Sequence, residues 1–316
     1  MLSGCAVFEL GDRAKFSLSG NDRVRWLNGM VTNKVRDLAP GQGIYAFVLN
    51  PQGRILGDLY AYNRGESLLV DTDRSQAEKL LSIFRKYIIM DKVEIEDLGE
   101  KLVAIGVAGP KSHTVLAKCG LDLPQLAALQ FVDVSLQGLA LTILRTDNPA
   151  LESYEIWVAL EHRSAVWSAL TNSGVAPVGA ETVELLRIAG GIPRYGQDIG
   201  EHDLPQETEQ LRALNFNKGC YIGQEIVERI RSRGNVHRKF TGFEVQGPLP
   251  TNGTKIQADG KDVGEITSAA SLPLASGPRQ VALGYIRREL ANQPLQAGNA
   301  QLTATEIPFL GIFQES

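Results

Sequence analysis

Residues 218–225, "KGCYIGQE", crowd a lysine, a cysteine, two glycines and the pair Gln224–Glu225 into eight positions. A cysteine in that company could act as a nucleophile, a metal ligand or a reactive thiol. A nucleophile needs a histidine base held by an orienting group, and the four histidines, His113, His162, His202 and His237, stand in no recognisable setting. No Cys/His spacing matches a zinc or iron–sulfur framework. Ile222, Ile226, Val227 and Ile230 are spaced as an apolar helix stripe. That places Cys220 in a first helical turn, where the helix dipole and Lys218 favour a thiolate. Gly219 just before it would let the backbone approach a neighbour closely.

Downstream, Arg229, Arg231, Arg233, Arg238 and Lys239 gather with His237, and no acid lies between 229 and 239. Such a run suits a solvated face, RNA phosphates or the carboxylates of a small polyanionic ligand. Only Phe240 is a nearby aromatic, so a base-stacking surface is not indicated. No Walker loop or GxGxxG follows a strand, which leaves a nucleotide-binding fold without support.

The elements that must position these residues form an α+β pattern. "GIYAFVLNPQGRILGDLYAY" (43–62) reads as two strands around "NPQG", with Asn first, Pro second and Gly fourth as in a tight turn. "ESLLVDTD" is a third strand. The following helix has Ser75 and Glu78 spaced as a capping box and Leu80, Leu81, Phe84, Tyr87 and Ile88 on one face. Further strands fall at about 92–97, 101–107 and 154–160, with a hairpin around Gln137–Gly138 and helices after 109–112 and around Val166–Leu170. After Lys239 the texture becomes short strands separated by Gly, Pro and Asp-Gly, the pattern of a small barrel or sandwich. The expected organisation is an α+β region over 1–238 and a β-barrel over 239–316.

At 316 residues the chain suits two or three domains, and a net charge of −4 gives no global reason to expect nucleic acid or an anionic membrane. Three cysteines, with no CxxC, favour a reducing compartment. "LSGC" at 2–5 has no basic or apolar leader before it and reads as coincidence rather than a lipoprotein box. No run of 18 apolar residues is present. A soluble, cytoplasmic protein is expected.

"KGCYIGQE", with "VERI" and "HRKF" after it, resembles the YgfZ folate-binding proteins, relatives of the glycine-cleavage T-protein, a tetrahydrofolate-dependent aminomethyltransferase. "WLNGMVTNKV" (26–35) resembles the family's N-terminal helix, "LNPQGRILGDL" (49–59) its Asn-x-x-Gly-Gly-x-x-Asp-Asp hairpin, and "LLRIAGGIPRYGQDI" (185–199) its Leu-Arg-x-Glu-Ala-Gly … Tyr-Gly-Gln-Asp segment. The resemblance implies three domains in a ring around a folate channel, two intertwined α+β subdomains and a C-terminal barrel. It also implies Cys220 and Asp58 as catalytic residues, and Lys218, Tyr221, Gly223, Gln224, Glu225, Arg187 and Tyr195 as binding residues. Gly57 stands where the T-protein has the first of two aspartates, and Ala189 where it has the pterin-gripping glutamate, so one-carbon transfer itself is in question.

The resemblance further implies service to iron–sulfur enzymes, including tRNA-modifying ones, with Cys220 as a low-pKa thiol for redox contact or a transient bond. A true one-carbon transferase using Asp58, and a tRNA-contacting module using the basic run, are the competing expectations.

Overall fold

The computed structural model describes residues 3–99, 101–234, 236–309 and 311. The chain divides into two compact units, the first made of 1–51, 56–180 and 212–222, the second of 52–55, 181–211 and 223–316.

The first unit holds two sheets. Its elements are β1 (Ala6–Glu9), β2 (Arg13–Ser19), α1 (Arg23–Met30), β3 (Gly43–Leu49), β4 (Ile55–Asn63), β5 (Leu68–Asp73), α2 (Arg74–Tyr87), β6 (Glu94–Asp97), β7 (Leu102–Ala108), α3 (Ser112–Lys118), β8 (Phe131–Leu136), β9 (Leu139–Arg145), β10 (Ser153–Ala159), α4 (Arg163–Asn172) and β11 (Ala176–Pro177). One sheet runs β3-β4-β5-β2-β6 and the other β11-β1-β7-β10-β9-β8. β1 pairs parallel with β11, and the pairs β1–β7, β7–β10, β10–β9, β9–β8, β2–β5, β2–β6 and β4–β5 are antiparallel. Alternation along β4 turns Leu59 and Ala61 into a core with Leu80 and Phe84 of α2, and leaves Asp58 and Tyr60 together on the opposite face. Tyr62 on that second face meets Trp157 edge-on at 5.0 Å and Phe131 at 6.1 Å, joining the two sheets through aromatic packing.

Three local expectations change. The α2 cap is Asp73, whose carboxylate accepts from the Ser75 amide at 2.8 Å and hydroxyl at 2.6 Å, so Ser75 lies inside the helix and is not its cap. An ionised oxygen at the positive helix end outcompetes a hydroxyl there. The N-terminal helix stops at Met30, and the chain from 31 to 36 is non-helical, with the Val35 and Arg36 amides donating to the buried Asn28 side chain. Tyr87, expected on the buried face of α2, emerges at its end beside exposed Ile89 and Met90.

The second unit contains α5 (Ala180–Ala189), which begins at the boundary, and α6 (Gln224–Arg233), followed by β12 (Arg238–Gln246), β13 (Lys255–Ala258), β14 (Lys261–Leu274), β15 (Gly277–Arg287), β16 (Leu295–Ala297) and β17 (Ala300–Thr305). These six strands close into a barrel in the order β12-β15-β14-β13-β16-β17, sealed by β12 pairing with β17. Phe243, Ile256, Ile266 and Ile286 lie in its core. A bulge between Ile266 and Ser268 turns the adjacent Thr267 and Ser268 hydroxyls onto the Asp198 carboxylate, at 2.5 and 2.6 Å.

Gly53, in the β3–β4 turn, has φ +74° and belongs to the second unit, where an added Cβ would lie 2.7 Å from Ile226 Cβ. Alanine there combines a left-handed backbone with a clash on α6. We expect Gly53→Ala to cost about 2 kcal/mol or more, read as a lowered denaturant midpoint; an unchanged midpoint would show that α6 yields freely. Among the described residues no helix is long and apolar enough to cross a membrane, and no group of three or more His, Cys, Asp or Glu is placed to hold a metal.

Candidate functional site

Asp58 is built in from both ends of its residue. Its amide donates to Gln76 Oε1 at 3.0 Å and its carbonyl accepts the Thr72 hydroxyl at 2.7 Å. Its carboxylate takes the Tyr45 hydroxyl on one oxygen at 2.6 Å and the Gln76 amide on the other at 2.5 Å. Burial, and then the Asp58 charge, push the Tyr45 hydroxyl well above the ordinary tyrosine range, so it remains a proton donor.

Gly57, next to Asp58, leaves no room for a side chain. A Cβ at 57 would lie 2.7 Å from Gln76 Oε1 and 2.9 Å from Leu80 Cδ2. The glycine makes room for Gln76, and Gln76 fixes Asp58. An aspartate at 57 would displace the amide that orients its neighbour.

Around this pair stand residues that the sequence reading did not single out. The Arg212 guanidinium lies 4.5 Å from the Tyr45 ring centroid and forms an ion pair with Asp147. Tyr45 and Tyr60 are 4.9 Å apart, and the Tyr60 hydroxyl donates to Asp147 at 3.2 Å. Asp147 also lines an open cleft of about 420 Å³ with Arg145, Thr146, Asn148, Glu152 and Ser153. The alternation of Asp58 and Tyr60 along β4 was a readable signal for part of this cluster; Arg212 and Asp147 carried none.

Lys218, expected to bind cofactor, forms a structural staple. Its buried ammonium donates to the carbonyls of Asn28, Val31 and Asn33 at 2.6, 2.5 and 2.7 Å, which uses all three of its protons. Burial draws its pKa down to about 7, while the three carbonyls favour the charged form. Tyr221 is buried with its ring 4.8 Å below that ammonium, and the Ile222 amide bonds the Gly29 carbonyl at 3.2 Å. Asn33 connects the staple to the Asp58 site, because its side chain donates to the carbonyls of Tyr45 and Arg212, each at 2.9 Å.

Cys220 is an exposed free thiol, and Cys5 and Cys119 are also unbridged. It does not sit in a helical turn. The α6 cap is Gly223 at φ +82°, a conformation natural to glycine, so the helix dipole begins beyond the cysteine. Gln224 and Glu225 open the first turn of α6, and Glu225 is exposed. Ile222 lies outside the helix, packed on the core of the first unit. Gly219 is approached by nothing within 4 Å of an added Cβ; Gly53 is the glycine that meets α6 closely.

Arg187, also expected as a ligand, spends all five N–H groups internally: on Glu184 twice, on Asp198, on the Ile192 carbonyl and on Ser268. Asp198 has no exposed side-chain surface, and its two oxygens take Thr267, Ser268, Arg187 and the Arg194 amide. The "YGQD" segment is thus a clasp on the barrel, with Tyr195 half-buried in its turn and bridged to Ile199. Ala189 is buried, its carbonyl bonded to the Phe309 amide at 3.1 Å, and offers no carboxylate.

The basic run is broken up by acids outside it. Arg238 pairs with Asp203 at 2.6 Å and Glu207 at 3.1 Å and lies over the Tyr285 ring, and Arg231 pairs with Glu228. Arg229 is exposed and Lys239 partly so; the Arg233 side chain lies outside the described residues.

An antiparallel α+β unit carrying a held Asp58, together with a barrel clasped by Arg187 and Asp198, defines an aminomethyltransferase-like class of fold. The GCVT N-terminal domain family matches residues 1–218, and the CAF17 C-terminal beta-barrel domain matches 237–310. The chain belongs to the GCVT domain family. It is 29% identical to an aminomethyltransferase of Nostoc sp. over 93% of this chain and 80% of that one. With an aminomethyltransferase of Caldanaerobacter subterraneus the identity is 28%, covering 86% of this chain and 74% of the other. The crystal structure of the glycine cleavage system aminomethyltransferase T from Bartonella henselae superposes with a TM-score of 0.86 over 98% of this chain and 87% of that chain at 21% identity, a shared fold.

Proposed function

We propose that this protein binds a tetrahydrofolate derivative at the Asp58 site and uses it in support of iron–sulfur enzymes. The observation that carries the folate reading is the Asp58 carboxylate, oriented by Tyr45 and Gln76. An ionised carboxylate offers about four acceptor positions, so two side-chain donors leave capacity for the N–H groups of a reduced pterin. Tetrahydrofolate, when bound, supplies the amines that carry a one-carbon unit. Asp58 holds a ligand N–H or takes its proton, Tyr45 and Gln76 keep the carboxylate in place, and the Lys218 staple holds the 28–33 turn behind Tyr45.

The family's tie to folate supports this reading, and so does the retained Asp58. Ala189 argues for a pterin held without the T-protein's glutamate, hence less tightly. For the iron–sulfur role the support is the resemblance around Cys220 and the exposure of its thiol, which a client protein can reach. Calorimetric titration with tetrahydrofolate tests the core of the proposal. Wild type and Cys220→Ala are expected to bind alike, and Asp58→Asn to bind at least about tenfold more weakly, a loss of roughly 1.4 kcal/mol. Equal binding by Asp58→Asn would move the ligand elsewhere. Failure of Cys220→Ala to restore iron–sulfur enzyme activity in a deletion strain is the expected result for the second half; full rescue would remove the thiol from the mechanism.

A second reading, one-carbon transfer with turnover, is favoured by the fixed orientation of Asp58. It predicts consumption of an aminomethyl donor that stops in Asp58→Asn. The tRNA-contacting reading draws less from the structure, since Arg231 and Arg238 already have carboxylate partners.

A further inference from the structure

We propose that Arg212 is a positioning residue that sets the Tyr45–Asp58 pair from the far side of the Tyr45 ring; as a role in ligand binding, this rests on the Asp58 reading above. Arg212 has two kinds of hold on the site. Its guanidinium sits against the Tyr45 face at 4.5 Å, and its charge pairs with Asp147. Asp147 in turn accepts the Tyr60 hydroxyl, Arg212 hydrogen-bonds that same hydroxyl, and the Tyr60 ring packs against Tyr45 at 4.9 Å. Arg212, Asp147 and Tyr60 therefore form a closed triangle around one side of Tyr45.

The other side of Tyr45 must deliver one proton to one oxygen. Its hydroxyl reaches Asp58 at 2.6 Å, and a short, charge-assisted bond of this kind is sensitive to ring tilt. Gln76, which faces Asp58 from α2, is itself fixed by the Asp58 amide, so it cannot correct a rotated carboxylate without losing a bond of its own. Backbone supports the triangle too, because the Asn33 side chain bridges the Tyr45 and Arg212 carbonyls. A lysine in place of Arg212 would keep the charge over the ring but lose the planar fork that reaches Tyr60 and Asp147 together.

The test reads Asp58 directly. Ligand-free protein is labelled with aspartate carrying ¹³C at the carboxyl, and the Asp58 signal is identified by its loss in Asp58→Asn. In Arg212→Met the signal should move in the same sense as in Tyr45→Phe. Arg212→Lys should fall between Arg212→Met and wild type. Asp147→Asn, which removes the ion pair without opening a cavity, should move the signal the same way and keeps the test usable should Arg212→Met fold poorly. An Asp58 signal that moves in Tyr45→Phe but stays put in both Arg212→Met and Asp147→Asn would overturn the proposal.

A second arm uses tetrahydrofolate. Its affinity should fall about tenfold in Arg212→Met, but change less than about twofold when the same substitution is added to Asp58→Asn. A full further tenfold loss in that background would mean that Arg212 touches the ligand itself, and the positioning role would be wrong. Absence of any tetrahydrofolate binding by wild type would end the folate reading alone; the ¹³C signal would still decide the role of Arg212.

Discussion

Replacing Asp198 by alanine is expected to destabilise the second unit by about 3–5 kcal/mol, one of the two largest effects foreseen for a single substitution here. The Asp198 side chain has no exposed surface and Arg187 is 9% exposed, so the substitution removes the fully buried one of the two carboxylates that face the guanidinium at 2.7 Å. Two hydroxyls and the Arg194 amide lose their acceptor at the same time. Glu184, which also pairs with Arg187, keeps part of the compensation, which is why the effect stays within that range. Denaturant unfolding followed by circular dichroism measures it, because the three tryptophans, Trp26, Trp157 and Trp167, all lie in the first unit. The double variant Asp198→Leu, Arg187→Met should be less destabilised than the sum of its parts, since breaking a buried pair costs more than replacing it. A loss below about 1 kcal/mol in Asp198→Ala would show that water reaches the pair and that the clasp is weak.

The other large effect is at Lys218. Lys218→Met keeps the stem and removes the ammonium, leaving the carbonyls of Asn28, Val31 and Asn33 without their shared donor. Hydrogen bonds to charged groups contribute about 1.5–3 kcal/mol each and are not additive, so a net loss of about 3 kcal/mol is expected. The consequence should be local as well as global. Amide exchange should quicken in 28–36, and tetrahydrofolate affinity should drop, because Asn33 carries the staple to the Tyr45 carbonyl. Lys218→Met with unchanged stability and unchanged exchange would mean that the carbonyls are satisfied by water and that Lys218 is free to serve a ligand after all. A drop in affinity with unchanged stability would point the same way.

Both predictions concern the surroundings of two residues expected to bind cofactor, Lys218 and Arg187, whose donors meet acceptors within the protein. Lys218 has three protons and three carbonyls; Arg187 has five N–H groups and five acceptors. A positive residue in a functional motif is easily taken for a ligand clamp. Apart from Glu184, three positions before Arg187, the partners here are backbone carbonyls and residues farther along the chain, and these leave no pattern in a one-dimensional string.

The sequence by itself determined several elements between 43 and 160 and the strand-rich texture after Lys239, but not β1, β2 or β11, since hydrophobic period, turn chemistry and Gly/Pro punctuation are local properties. The β3–β4 hairpin around "NPQG", the hairpin at Gln137–Gly138, α2, and the change to short strands after Lys239 are all carried by adjacent residues. Through the motif resemblance over 49–59 it also led to the expectation that Asp58 matches a T-protein carboxylate. Tertiary structure decided the rest. It put Gln76 in the space that Gly57 leaves empty, brought Arg212 onto Tyr45 from 167 positions away, and started α6 at Gly223, beyond Cys220. The physical reason is the same each time: burial and hydrogen-bond satisfaction are settled by what lies nearby in space, and a buried cation takes the acceptors that folding brings to it.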